Sequence, residues 1–327
     1  MDFLDVKTDF AFKRVFGSEQ SKAILIDFLN AVIDFGDAGI TDLTIVDPYQ
    51  VPLLKGMKDS YVDVKAVLSD QRKVIIEMQV LNVEGFEKRV LYNAAKLYST
   101  QLKKSEKYAT LEPVIALTIT DFEMFPEFDR VISYWNLREK ESFVQYSGDI
   151  ELIFIELPKF TKSEKELSSV TDKWIYFIKN AGELDFVPKT FSEPNLLDAF
   201  DLANTAGMNE DELEVQFKRR DFIWLQKGSL EKARKDGIQE GREKGEQEAK
   251  LSIARNLLAQ NIDPEIIAAG TGLSKELIIS LRDQNTEQQT DSLSQSQSTK
   301  KCLNSTSQNQ KTASCPPLPR TQPAARS

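Results

Sequence analysis

Asp63, Glu77 and Gln79 are the residues of this sequence whose types and spacing carry the clearest chemistry. They lie on two apolar segments, residues 61–68 and 73–81, joined by the polar stretch Ser69-Asp70-Gln71-Arg72. Two such runs around a short polar turn predict an antiparallel β-hairpin. With Leu68 opposite Arg72, Asp63 falls directly across from Glu77 on one face, and Gln79, two residues on, projects from the same face. Val74, Ile76, Met78 and Val80 make an apolar stripe on the other face, which fixes the side turned to the core. Two carboxylates placed so closely repel, and something must offset them. A divalent cation held by oxygen is one solution. A half-exposed acidic face neutralised by Lys65 and Lys73 is the other.

Composition narrows the chemistry. The chain of 327 residues contains no His, which excludes Ser-His-Asp and Cys-His nucleophiles, histidine-ligated zinc and imidazole bases. Its two cysteines, Cys302 and Cys315, fall in a polar tail, so no Cys cluster is available to a metal. Any metal chemistry rests on oxygen ligands, which suit Mg²⁺, Mn²⁺ or Ca²⁺. A net charge of −9 argues against coating nucleic acid through the whole surface, yet leaves room for a local basic groove. No run approaches the roughly 20 apolar residues of a membrane span. Asp2, Asp5 and Lys7 stand where a secretory signal would be apolar. With so few cysteines the chain reads as cytoplasmic, with no membrane partner.

The elements that must position these residues follow from periodicity. Apolar spacings of three and four, from Phe10 to Val32, predict a helix over 8–33. Residues 40–51 read as a strand region, 86–104 as a second helix, and 113–120, 131–135 and 151–157 as further strands. A helix among strands that are apolar on both faces points to an α/β layered domain. On the helix 86–104, Arg89, Tyr92 and Lys96 line one side. Beside the carboxylates such a face would hold phosphates through charge and stacking; otherwise it is a solvated surface. Tyr98, Leu102, Trp135, Trp174 and Trp224 read as packing residues.

From about residue 163 the pattern is helical. Segments 162–180 and 193–206 are amphipathic, and 210–250 is long and highly charged. Within it Gly237, Gly241 and Gly245 recur every four residues, which reads as a solvated, semi-flexible linker or a marginal coiled coil. Segments 253–260, 264–269 and 275–282 are laid out like a helix-turn-helix. Lys275 and Arg282 are the only basic groups on the last of these, so a small packing or oligomerisation module is favoured over a DNA reader. Residues 284–327, rich in Ser, Gln and Thr, read as a disordered tail. The expected organisation is one domain over 1–225, a charged helical linker with a small helical module over 226–283, and the tail.

Asp63 followed by Glu77-Met78-Gln79 resembles the metal-binding signature of the PD-(D/E)XK nuclease superfamily, with Gln where the final Lys usually stands. Other segments, in order, resemble its recombination-promoting nuclease and transposase family. These are Lys7-Thr8-Asp9-Phe10-Ala11-Phe12-Lys13, Asp63-Val64-Lys65-Ala66, Ile76-Glu77-Met78-Gln79-Val80 and Phe86-Glu87-Lys88-Arg89-Val90-Leu91-Tyr92. Ser99-Thr100-Gln101-Leu102-Lys103-Lys104, Ile155-Glu156-Leu157-Pro158-Lys159-Phe160 and Thr271-Gly272-Leu273-Ser274 continue the series. The likeness spans roughly residues 5–283. It implies a restriction-endonuclease-like mixed sheet flanked by helices, with a C-terminal helical extension. It also implies cleavage of DNA phosphodiesters dependent on Mg²⁺ or Mn²⁺ and linked to recombination or transposition.

In that scheme Asp63 and Glu77 ligate the metal, the Met78 carbonyl adds a ligand, and Asp9 on the first helix is a further candidate. Asp9 has a plainer alternative, an i,i+4 pair with Lys13. With no His, water activation falls to the metal, Lys65 or a carboxylate. Gln79 can orient water or donate to phosphate but carries no charge. A catalytically inactive DNA-binding or assembly protein that retains the fold is the competing expectation.

Overall fold

A computed structural model describes residues 3–37, 39–50 and 60–283. The tail at 284–327 and the last residue of the 40–51 strand region lie outside the described residues. Segments rich in β-branched and aliphatic residues supply the strands β1 (Leu43–Val46), β2 (Tyr49–Gln50), β3 (Ser60–Tyr61), β4 (Val64–Leu68), β5 (Lys73–Gln79), β6 (Val114–Thr120), β7 (Ile132–Trp135) and β8 (Ile150–Glu156). Among the described residues six of them form one mixed sheet in the order β1-β4-β5-β6-β8-β7, while β2 and β3 pair separately. The β5–β6 and β6–β8 pairings are parallel and the others antiparallel. The expected hairpin register holds: Val64 faces Ile76, Lys65 faces Ile75, and the Leu68 amide donates to the Arg72 carbonyl at 2.9 Å.

One face of this sheet is covered by α1 (Asp9–Phe16), α2 (Lys22–Val32), α4 (Val170–Asn180) and α5 (Pro194–Ala203), whose apolar stripes bury Phe12, Phe16, Phe28, Trp174, Phe177 and Phe200. The Val74, Ile76 and Met78 stripe of β5 points into this core, as its alternation dictates. The other face is covered by α3 (Phe86–Ser99), which seats Ala94 and Leu97 against Ile75 and Ala116.

The structure corrects several sequence expectations. The helix predicted over 8–33 breaks at Gly17-Ser18. A Cβ at Gly17 would sit 2.8 Å from the Lys13 carbonyl oxygen, and Ser18 exchanges bonds with Ser21 to open a new turn. The strand predicted over 61–68 breaks at Val62-Asp63. There the Asp63 amide donates to the Ile76 carbonyl at 3.1 Å, and Val62 packs with Ile75 on the α3 side while Val64 enters the main core. The helix predicted to residue 104 ends at Thr100, whose amide and hydroxyl both bond the Lys96 carbonyl. Trp174 packs as expected and Trp135 lies against Phe125, but Trp224 is 73% exposed.

The described residues divide into two compact units, one up to Glu231 and one from Lys232 onward. The helix α6 (Glu210–Ala259) begins in the first and ends in the second. It runs unbroken through Gly237, Gly241 and Gly245, each facing open space, so the segment read as a linker or coiled coil is continuous exposed helix. The short helix expected at 253–260 is the end of α6. In the second unit this end, α7 (Pro264–Thr271) and helical residues 275–283 bury Ala254, Leu258, Ile267 and Ile278 together. Asp263 caps α7 through the Glu265 amide, and Gly272, at φ +69°, closes it. Among the described residues no helix is long and apolar enough to cross a membrane.

Candidate active site

The end of β5 presents Glu77 and Gln79 toward α3, and the break before β4 places Asp63 beside them. Asp63 is oriented by the main chain: its Oδ2 accepts from the Met78 amide at 2.7 Å. Its Oδ1 lies 3.8 Å from Lys13 Nζ, and Lys13 in turn pairs with Asp9 at 2.5 Å. Asp9 therefore makes the local i,i+4 pair and also stands within electrostatic reach of Asp63. Both sheet carboxylates are largely shielded, with side chains 16% exposed at Asp63 and 14% at Glu77. Burial pushes the Asp63 carboxyl up to about 6; the Met78 amide and Lys13 oppose this, while Asp9 and Glu77 add to it. Burial raises Glu77 as well, opposed by the Arg89 guanidinium.

Arg89 ties this end of the site together. Its Nη2 donates to Glu77 Oε1 and, at 2.6 Å, to Gln79 Oε1. The Gln79 amide nitrogen is committed elsewhere, donating to the Leu81 carbonyl at 2.6 Å. The guanidinium lies over the Phe86 ring, 5.0 Å from its centroid. One turn further along α3, Asn93 is 1% exposed and its amide lies beside Glu77, where its hydrogen bond joins Arg89 in opposing the rise of that carboxyl. Arg89, Asn93, Lys88 and Tyr92 line an open cleft of about 520 Å³ together with Ser60 and Tyr61.

Lys96 does not join this cleft wall. It is 5% exposed, and its ammonium donates to the Gln50 carbonyl at 2.8 Å and to Ser60 Oγ at 3.2 Å. The expectation that it faces phosphate is corrected: its carbon stem follows the buried side of α3 and its charge braces the β2–β3 ribbon. Lys65 shares the sheet face of Glu77 by register. Among the described residues it makes no ion pair with either carboxylate, and burial lowers its pKa, opposed by Asp47.

The donor set suits a hard divalent ion. Mg²⁺ is held by one or two carboxylates, with waters and phosphate oxygens completing the shell. Asp63 and Glu77 are two carboxylates of that kind, each already facing one cation, Lys13 and Arg89 respectively. Among the described residues no group of three or more His, Cys, Asp or Glu is assembled for a metal. Met78 is engaged through its amide.

Two features escaped sequence reading. Glu156, fully buried at the end of β8, accepts from the Met124 and Phe125 amides at 2.7 and 3.1 Å and pairs with Lys159 at 2.8 Å, which fixes the loop after β6. The Asp121 amide donates to the Gln79 carbonyl at 2.9 Å, and its carboxylate pairs with Lys227 from α6. The Glu156-Leu157-Pro158-Lys159 spacing was the available signal for the first; the second had none.

Comparison with known families adds two findings. A family model described as PD-(D/E)XK nuclease family transposase matches residues 6–233. One described as the Rpn/YhgA-like nuclease family, C-terminal HTH domain, matches residues 247–283. No curated protein and no solved structure matches. The second match names the helix-turn-helix layout of the C-terminal unit, and so weighs toward the DNA-reading alternative over the packing module favoured from its charges.

Proposed function

The chain belongs to the PD-(D/E)XK nuclease family transposases, and from that premise we propose that it is a metal-dependent DNA endonuclease. The observation that carries this reading is the Asp63–Glu77 pair: two shielded carboxylates, both pushed toward protonation by burial, beside a cleft with basic walls. When bound, Mg²⁺ or Mn²⁺ lowers the pKa of a coordinated water and offsets charge that develops on the scissile phosphate.

The rest is done by the chain's own residues. Asp63 and Glu77 hold the ion, with the Met78 carbonyl as a third oxygen and the Met78 amide fixing the Asp63 carboxylate. Gln79 presents its carbonyl oxygen and orients the attacking water as a hydrogen-bond acceptor. Arg89, Lys88 and Tyr92 hold the DNA backbone along the cleft. Asp9 and Lys13 set the charge around Asp63, and Lys65 supplies background positive potential on the Glu77 face. The C-terminal unit docks DNA through its helix-turn-helix. A catalytically inactive DNA-binding protein is the second reading, favoured by the uncharged Gln79 and by the Arg89 ion pair on Glu77.

Plasmid nicking with Mg²⁺, Mn²⁺ and Ca²⁺, run with Asp63→Ala and Glu77→Ala, tests the proposal. Cleavage with Mg²⁺ or Mn²⁺ that falls at least about 1,000-fold in both variants supports it, a loss in line with removing principal transition-state electrostatics. Equal cleavage by wild type and variants removes the site. DNA binding without any cleavage favours the second reading.

A further inference from the structure

The hold of Arg89 on the site is incomplete in a specific way. One nitrogen, Nη2, serves both Glu77 Oε1 and Gln79 Oε1. This is not the two-nitrogen fork in which guanidinium binds carboxylate most firmly. The Nε of the same side chain is buried without a partner. A buried unmade donor is costly, so this arrangement is improved by any state in which the guanidinium reaches an additional acceptor. Asn93, buried beside it, turns its amide to the same Glu77 carboxylate, so that carboxylate keeps a neutral donor when the guanidinium leaves.

Position 79 completes the picture. Because the Gln79 nitrogen is tied to the Leu81 carbonyl, only its oxygen faces the guanidinium. The residue that would bring positive charge to this point instead attracts one from α3. The side chain that answers it also lines the cleft.

We propose that Arg89 is a displaceable counter-ion: in the metal-free chain it neutralises Glu77, it gives up that carboxylate when a divalent ion binds, and it then supplies to the substrate phosphate the positive charge that Gln79 lacks. This rests on the proposed metal-dependent reading and assigns one residue two successive partners. Gln79 keeps the released guanidinium near the site, since its oxygen remains an acceptor whether or not Glu77 is engaged.

The test is a calorimetric titration of the full chain with Mn²⁺ in the absence of DNA, with circular dichroism confirming the fold of each variant. Arg89→Gln removes the competitor for Glu77 and should bind Mn²⁺ about tenfold more tightly, the scale expected for loss of one adjacent charge. The same variant should lose plasmid cleavage, and adding Gln79→Lys to it should restore part of that cleavage by returning a cation to the site. Should Arg89→Gln fail to fold, Arg89→Lys, with a shorter reach to Glu77, is titrated instead and should shift affinity in the same direction. Unchanged or weaker Mn²⁺ binding in the folded variant overturns the counter-ion role, and failure of Gln79→Lys to restore cleavage overturns the phosphate role. The parent reading fails separately: it falls if wild type takes up no Mn²⁺, or if Glu77→Ala leaves uptake intact.

Discussion

On the face covered by α1, α2, α4 and α5, Phe16, Phe28 and Trp174 meet ring to ring with centroids 4.9 to 5.9 Å apart, and the Trp174 indole donates to Asp27 at 2.8 Å. On the face covered by α3, Glu77 and Lys96 are shielded, while the Arg89 Nε is buried without a partner. The first face is closed aromatic packing, whereas the second opens on the cleft and leaves the Arg89 Nε unmet. Each unmade buried bond costs about 1–3 kcal/mol, and local violations of this kind are the expected mark of a functional surface. The aromatic face holds the sheet, and the α3 face spends part of that stability on a site.

The contrast can be broken most directly at Phe28. Phe28→Ala should cost about 4 kcal/mol by urea unfolding, as transfer and cavity costs add in a close-packed core; a loss below about 1 kcal/mol would mean the aromatic face is not the principal support. A smaller effect is expected at Asp63. Its folded, metal-free carboxyl lies near 6 against an ordinary 3.8, so the folded chain retains a proton that the unfolded chain releases. That stabilisation is complete below about pH 4 and is lost as pH rises through 6. Asp63→Asn should therefore match wild type near pH 4 and exceed it by about 3 kcal/mol at pH 7 without metal. A gap that stays constant across that range contradicts the burial account. The smallest effect belongs to Asn93→Leu. It takes a donor from the shielded Glu77 carboxylate and should cost about 1 kcal/mol. Equal or higher stability would show that the amide gives Glu77 nothing.

The sheet and the hairpin register were legible in the sequence because their determinants are local. The turn 69–72 and the alternation in 73–80 set the register to the residue. The i,i+4 spacing announced the Asp9–Lys13 pair. What escaped reading depends on distant chain. Lys96 looks like a surface cation in its own helix, and only the return of Gln50, 46 residues earlier, gives its ammonium an interior partner. Arg89 reads equally well as a phosphate contact, and nothing in the order of residues shows that it bridges Glu77 and Gln79 first. Trp224 sits at an apolar-looking position on α6, but exposure is decided by whether another element covers it. The breaks at Gly17 and Val62 were hidden because apolar periodicity continues across them.

The bond from the Met78 amide to Asp63 Oδ2 has a bearing on how the site tolerates change. Its donor belongs to the backbone, so the identity of the side chain at 78 is irrelevant to it. That side chain answers only to the main core, and any aliphatic residue of suitable volume there leaves the carboxylate anchored. Proline alone would abolish the anchor, by deleting the hydrogen. Sequence drift at this position is thereby uncoupled from the chemistry one strand away.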